Sequence, residues 1–143
     1  MKPQEQLFLE ALKASLTNTT VTWTTPLSTE EWQSLFALAE SHKVLPLIFH
    51  AVYSCPAAAS MNKQLFASMK RRTLTLTLNQ VQRTAEFLSL YQKFQKENIT
   101  PLVVKGLICR ELYPNPDLRI SSDEDLLTTD DQFAKSIEVL KLL

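Results

Sequence analysis

The chain contains very little glycine. Gly106 is the only glycine among 143 residues, whereas an average usage of about 7% would give about ten. Phosphate-binding loops of the P-loop and dinucleotide-binding types need two or three glycines in a fixed pattern. The sequence therefore excludes both of those nucleotide-binding classes, and the scarcity of glycine favours a mainly helical chain.

Cysteine, net charge and long apolar runs are also scarce. Cys55 and Cys109 lie far apart and form no zinc spacing with the two histidines, so we predict neither a disulfide framework nor a zinc site. The formal net charge is zero, which gives no broad basic surface for nucleic acid or an anionic membrane. The most apolar stretch, residues 44–59, is interrupted by proline and is too short to span a bilayer. We expect a cytoplasmic protein with neither a membrane nor a nucleic-acid partner.

Residues 1–98 show the pattern of a helical region. Apolar residues recur at three- and four-residue spacing, and Ser28 with Glu31 forms a capping box at one helix start. Pro46 is typical of the first turn of another helix. We predict helices over residues 4–16, from Ser28 onward, from Pro46 to about Tyr53, and over residues 60–97.

The segment 60–97 shows two patterns. Threonine and leucine alternate over residues 73–78, which is the period of a strand, whereas the apolar residues of the whole segment follow a helical stripe. Because neither glycine nor proline interrupts the segment, we predict one long helix, with Thr73 as the place for a break. Its basic cluster, residues 70–72, is typical of a solvated face, and contact with a phosphate is the alternative.

After residue 98 the pattern changes to strands. Residues 99–104 are short, apolar and β-branched, which predicts a buried strand that ends at Gly106. A short helix is predicted from Leu107 to Tyr113, and a second strand over residues 123–128. The glycine opens the short helix, and the amide groups at a helix start suit a phosphate.

The acidic run Asp123-Glu124-Asp125 is the candidate for chemistry. Residues two apart in a strand share a face, so Asp123 and Asp125 would present their carboxylates side by side. Adjacent carboxylates repel each other unless a cation or proton lies between them, and Mg²⁺ takes oxygen ligands of this kind. A solvated acidic turn is the alternative. Lys105 could supply positive charge to a phosphate, or it could be an ordinary exposed lysine.

The run PLVVKGLICRELYPNPDLRISSDEDLLTT resembles the signature of a bacterial family of uncharacterised nucleotidyltransferases. In that family a Lys-Gly pair is followed by a helix, a Tyr-Pro pair, a loop with arginine, and an Asp-x-Asp strand that ends in two leucines. The upstream run LFALAESHKVLPLI, with Trp32, is similar to the helical region that precedes the signature. The matching positions of the signature are Lys105, Gly106, Tyr113, Pro114, Arg119, Asp123, Asp125, Leu126 and Leu127.

The resemblance implies the polymerase-β-like nucleotidyltransferase superfamily. With the helical pattern, it implies an α+β, predominantly helical fold, in which a helical region (1–98) precedes a partial nucleotidyltransferase core (99–143). The strand predicted to end at Gly106 and the strand predicted to begin at Asp123 must both reach one nucleotide. We therefore expect the two strands to be adjacent and antiparallel. No strand is expected before residue 98.

The resemblance also implies the reaction. An NTP would donate its NMP group to an unknown acceptor, with Mg²⁺ or Mn²⁺ as cofactor in two-metal catalysis. The implied roles are metal binding and catalysis for Asp123 and Asp125, a phosphate-holding turn at Gly106, and further nucleotide contacts from Lys105 and Arg119.

Two residues depart from the family pattern. Glu124 stands where a hydrophobic residue is usual, and Ser122 where glycine is common. We expect Glu124 to point away from the metal face and to be partly exposed, so Glu124→Ile is predicted to be tolerated or stabilising. No acidic residue after Asp131 lies on a predicted third strand, where the superfamily carries its third carboxylate.

We therefore expect the chain to be incomplete and catalytically silent by itself. A last helix is predicted after a capping box at Thr129 and Gln132. This helix and the sheet edge would lack cover, which predicts either self-association, as a homo-oligomer, through the C-terminal third, or cover by the long 60–97 helix. The apolar face of that helix is predicted to consist of Phe133, Ile137, Leu140 and Leu143.

Two other functions are open on the sequence. A non-catalytic helical interaction module, or a nucleotide-binding module with a degenerate site, is favoured by Glu124 and by the lack of a third carboxylate. A glycosyltransferase with an Asp-x-Asp metal site would need an α/β nucleotide domain before the motif, where this chain has helices. Binding of nucleotide with Mg²⁺ separates the enzyme from the interaction module.

Overall fold

The computed structural model describes residues 3–141. Within them the chain forms six helices and one two-stranded antiparallel sheet, so the predicted α+β, predominantly helical fold is confirmed. Among these residues no helix has both the length and the apolar composition of a membrane span. The elements are α1 (Pro3–Leu16), α2 (Thr29–Ser41), α3 (Leu45–Val52), α4 (Lys63–Lys96), β1 (Leu102–Val103), α5 (Leu107–Arg110), β2 (Leu126–Leu127) and α6 (Asp130–Lys141), with 3₁₀ turns at Pro56–Ser60 and Pro116–Leu118.

The predicted capping box and the predicted first-turn proline are present at the starts of α2 and α3. The Ser28 hydroxyl accepts from the Glu31 amide at 3.2 Å, and the Glu31 carboxylate accepts from the Ser28 amide at 2.7 Å. Proline occupies the first turn of α3, where its missing N–H group leaves no bond unmade. The Asn62 side chain caps α4 by accepting from two amides of its first turn.

Helix α4 runs unbroken over 34 residues, which corresponds to about 50 Å. The expected break at Thr73 does not occur, because this side chain is buried on the packed face rather than exposed in a strand. The first half of α4 packs in a core with α1, α2 and α3, centred on Trp32 and Ile48. Its second half packs in a smaller core with Ile99 and Val139. One helix therefore supports both parts of the chain.

The two strands are adjacent and antiparallel, as predicted, with Leu102 opposite Leu127 and Val103 opposite Leu126. Both are shorter than predicted. β1 begins directly after Pro101 and ends at Val103, whereas a strand was predicted over residues 99–104. No strand precedes residue 98 in the described part of the chain, as expected.

The prediction that Asp123 and Asp125 lie within a strand is wrong. Both residues belong to an extended segment that precedes β2, although the Asp125 carbonyl still accepts from the Val104 amide at 3.0 Å. The ladder stops there because the next residue toward the N-terminus, Glu124, turns its carboxylate onto the start of α5. The acidic segment is therefore held by side-chain contacts rather than by strand pairing.

The predicted apolar face of α6 is also wrong in part. Phe133 is 60% exposed and Leu140 is 43% exposed, whereas Ser136 and Val139 are buried. Leu143 lies outside the described residues. The helix packs through the opposite side because its contact with α4 is made at Val139 against Phe94. An apolar surface is consequently left on α6.

Candidate functional site

The Gly106 turn joins β1 to α5. Gly106 has φ +62° and ψ −110°, a conformation that side chains disfavour. A Cβ atom at this position would overlap the Glu124 carboxylate and lie 2.8 Å from the Asp123 carbonyl oxygen. The single glycine of the chain is therefore required both by its backbone and by the close approach of the acidic segment.

Glu124 forms a buried ion pair that the sequence did not predict. Its Oε1 lies 3.1 Å from Nη2 of Arg110, a side chain that is 1% exposed, and its Oε2 accepts from the Leu107 amide at 2.5 Å. Arg110 Nη1 donates in turn to the Thr84 hydroxyl at 2.6 Å. The carboxylate therefore holds the Leu107 amide, one of the amides that the sequence had suggested for a phosphate.

The expectation for Glu124→Ile is consequently overturned. The Glu124 side chain is 17% exposed, and its carboxylate is bound to Arg110 and to the Leu107 amide. Its removal would leave the Arg110 guanidinium buried without its counter-ion, which is strongly unfavourable. A sequence signal existed: an acidic residue where an apolar one is usual indicates a buried cation elsewhere in the chain.

Asp125 contacts a predicted site residue directly. Its Oδ2 lies 3.1 Å from the Lys105 ammonium, and the hydrogen bond and charge of Asp125 raise the pKa of Lys105 above its ordinary value. Asp123 is exposed, and its Oδ1 accepts from the Ser122 hydroxyl at 3.1 Å. The turn and the acidic segment are therefore joined on one side by Lys105 and on the other by Glu124.

Helix α4 fixes the segment in front of Asp123. The buried Gln80 accepts from the Ser121 amide at 2.9 Å and donates to the Ser121 hydroxyl at 3.3 Å. Arg83 donates to the Ser121 carbonyl at 3.0 Å. One turn of α4 therefore binds the backbone N–H, the backbone carbonyl and the hydroxyl group of Ser121. Neither Gln80 nor Arg83 carries a sequence signal, because each stands on the polar side of an ordinary amphipathic pattern.

A cavity of about 500 Å³ lies between α4, the turn that links α2 to α3, and residues 119–123. Four predicted site residues line it: Lys105, Gly106, Arg119 and Asp123. The lining contains five cationic side chains, Lys43, Arg72, Arg83, Lys105 and Arg119, and two anionic ones, Glu40 and Asp123.

The arginines of the cavity are partly free to donate. Arg119 lies with its guanidinium carbon 5.6 Å from the centre of the Tyr113 ring, and its Nη1 atom is buried without a hydrogen-bond partner. Arg72, from the basic cluster 70–72, lines the cavity and pairs with Glu40 at 2.8 Å. Unpaired donors on cations in a cavity are suited to an anionic ligand.

A family model described as an uncharacterised nucleotidyltransferase matches residues 28–143. The chain belongs to this uncharacterised nucleotidyltransferase family. The membership predicted from the signature is confirmed, and the match covers helices α2 to α4 as well as the Gly106 and Asp123 segments. No curated protein and no solved structure matches the chain.

The acidic side chains of this nucleotidyltransferase family member fit a hard cation in type. Asp123 and Asp125 offer carboxylate oxygens, the ligands that Mg²⁺ prefers, and Mg²⁺ is commonly held by one or two carboxylates together with substrate phosphates. Within residues 3–141 no group of three or more His, Cys, Asp or Glu side chains is arranged to hold a metal ion. Glu124 is committed to Arg110. Two protein ligands are therefore what the described part of the chain can provide.

Proposed function

We propose that this chain carries the nucleotide-binding and metal-binding part of a polymerase-β-like nucleotidyltransferase, which transfers an NMP group from an NTP to an acceptor. The main support for this proposal is that Gly106, Asp123, Lys105 and Arg119 line one basic cavity. A site for this reaction needs positive charge for the polyphosphate beside carboxylates for a divalent cation. Both features meet at residues 105–125.

Lys105 and Arg119 bind the phosphates in this proposal. Arg119 lines the cavity, lies against the Tyr113 ring and has a buried Nη1 atom without a hydrogen-bond partner. Planar guanidinium groups with free N–H bonds suit bidentate contact with phosphate oxygens. The exposed Lys105 side chain has the Asp125 carboxylate as its one ionic partner among the described residues.

Asp123 and Asp125 hold the divalent cation, Mg²⁺ or Mn²⁺. When bound, paired metal ions activate the attacking oxygen and stabilise the leaving one. Gly106 brings the backbone of the turn against the Asp123 carbonyl, so the phosphate side and the acidic side of the site lie close together. In the transfer, the acceptor oxygen bonds to the α-phosphorus, the bridging bond to the β-phosphate breaks, and pyrophosphate leaves with the electron pair.

Isothermal titration of the chain with each NTP, with and without Mg²⁺, tests the proposal. We expect binding that strengthens with Mg²⁺ and that Asp123→Asn and Asp125→Asn each weaken at nearly constant side-chain volume. Asp117→Asn is the matched control, because Asp117 is an exposed acid outside the cavity. Absence of binding for every NTP with Mg²⁺ present contradicts the proposal, whereas Mg²⁺-independent binding that survives both substitutions favours a non-catalytic nucleotide-binding module.

A further inference from the structure

The cations of the cavity come from two parts of the chain. Lys105 and Arg119 belong to the signature segment, whereas Lys43, Arg72 and Arg83 belong to the helical region before it. The signature assigns no role to these three residues. Their charge is what makes the cavity strongly basic, because the signature segment by itself contributes as many lysines and arginines as the cavity has acids.

Contacts with other residues of the cavity orient two of the three, one from the helical region and one from the signature segment. Arg72 is oriented by Glu40 through one nitrogen at 2.8 Å, and Arg83 by the Ser121 carbonyl at 3.0 Å. A guanidinium has five N–H donors, so each arginine keeps donors for a ligand. Lys43 stands in the left-handed backbone region, with φ +57°, and forms no ion pair within residues 3–141.

The spacing of the two arginines fits an extended anion. Arg72 and Arg83 are eleven residues apart on one continuous helix. Eleven residues are about three turns, so both side chains leave the helix on nearly the same side, about 16 Å apart along its axis. Both side chains line the same cavity, so a chain of phosphates that runs across it can approach both.

We propose that Lys43, Arg72 and Arg83 bind the β- and γ-phosphates of the nucleotide, so that the helical region selects triphosphates over monophosphates. This inference rests on the proposed function and adds the residues that hold the β- and γ-phosphates. Arginine and lysine contacts with phosphate are charge-assisted and shorter than neutral hydrogen bonds. The α-phosphate, which reacts, stays with the signature residues, whereas the leaving pyrophosphate is held by the helices.

The test measures binding of inorganic tripolyphosphate, ATP and AMP to the 143-residue chain at one ionic strength. The variants are Lys43→Gln, Arg72→Gln and Arg83→Gln. Lys70→Gln and Arg71→Gln are matched controls, because these exposed residues lie on the same helix, lose the same charge and do not line the cavity. Thermal unfolding by circular dichroism accompanies each variant.

We expect each cavity variant to weaken ATP and tripolyphosphate binding by roughly tenfold, the loss typical of one hydrogen bond to a charged group. The two control substitutions should change the affinity for ATP and tripolyphosphate less than twofold. The affinity for AMP should change less than twofold in every variant. The ratio of ATP to AMP affinity within one variant is independent of any loss of folded protein.

Equal losses for the cavity variants and the controls, or equal losses for ATP and AMP, would overturn the inference. In that case Mg²⁺-dependent ATP binding by the unmodified chain would still support the proposed function. Conversely, tripolyphosphate binding that depends on Lys43, Arg72 and Arg83, in a chain that binds no NTP with Mg²⁺, would support the cation set and contradict the proposed function.

Discussion

Gln80 holds Ser121 through both ends of its amide group, at 2.9 Å to the backbone N–H and 3.3 Å to the hydroxyl. Gln80 is 2% exposed and lies in the middle of helix α4. Ser121 lies two residues before Asp123, so this contact sets the position of the acidic segment on the long helix. The helix is therefore part of the candidate site and also supports the fold.

The first prediction concerns this contact. Gln80→Ala should lower the free energy of unfolding by about 1–3 kcal/mol, because it leaves the half-buried Ser121 amide without its acceptor. Asn79→Ala, at the neighbouring exposed position, should change stability by less than about 0.5 kcal/mol. Urea denaturation measures both. Equal stability of the two variants would show that Gln80 does not anchor the segment.

The second prediction concerns Glu124 and Arg110. Glu124→Ile should destabilise the chain by about 3 kcal/mol or more, because it leaves a buried guanidinium without its counter-ion. The double variant Glu124→Ile with Arg110→Met should recover most of that loss, since it removes both charges together. Urea denaturation of the two single variants and the double variant gives the coupling. A stable Glu124→Ile protein would restore the expectation drawn from the family pattern.

The third prediction concerns Lys105. Asp125 raises the pKa of Lys105 through a hydrogen bond and its charge. A raised lysine pKa means that the contact stabilises the folded chain at neutral pH and is lost as the pH rises through the folded-state value. In an NMR titration of the lysine side chains, Lys105 should titrate above the other exposed lysines, and Asp125→Asn should bring it back to their range. If Asp125→Asn leaves the titration midpoint of Lys105 unchanged, Asp125 does not raise the pKa of Lys105.

The fourth prediction concerns the uncovered apolar surface. Leu102 and Leu127 face each other across the sheet and are 61% and 60% exposed, and Phe133 on α6 is as exposed as Leu127. We expect the 143-residue chain to self-associate through this surface. Light scattering after size exclusion should show more monomer for Leu127→Lys and Phe133→Lys than for the control Ser89→Lys. Equal monomer fractions for the three variants would contradict this expectation.

The sequence predicted the features that depend on neighbours along the chain. The Ser28–Glu31 capping box and the long helix over 60–97 follow from local chemistry and from the lack of glycine and proline. Gly106 was predicted to open a helix, and it does, whereas the strand predicted to end there already ends at Val103. The division into parts at residue 98 stays a prediction.

The features that the sequence did not predict are contacts between distant residues. Arg110 meets Glu124 across 14 positions, and Gln80 meets Ser121 across 41. Such pairs depend on how α4 packs against the later segments, which periodicity does not encode. The strand lengths were wrong for the same reason, because the turn of Glu124 toward α5 decides where the pairing ends.

The most direct test of the central claim is a crystal structure of the chain with Mn²⁺ and a non-hydrolysable NTP analogue, read by the anomalous signal of manganese. We predict manganese bound to the carboxylates of Asp123 and Asp125, with the phosphates in the cavity against Gly106, Lys105 and Arg119. Manganese absent from these carboxylates, or phosphates bound outside the cavity, would contradict the assignment of this site to nucleotidyl transfer.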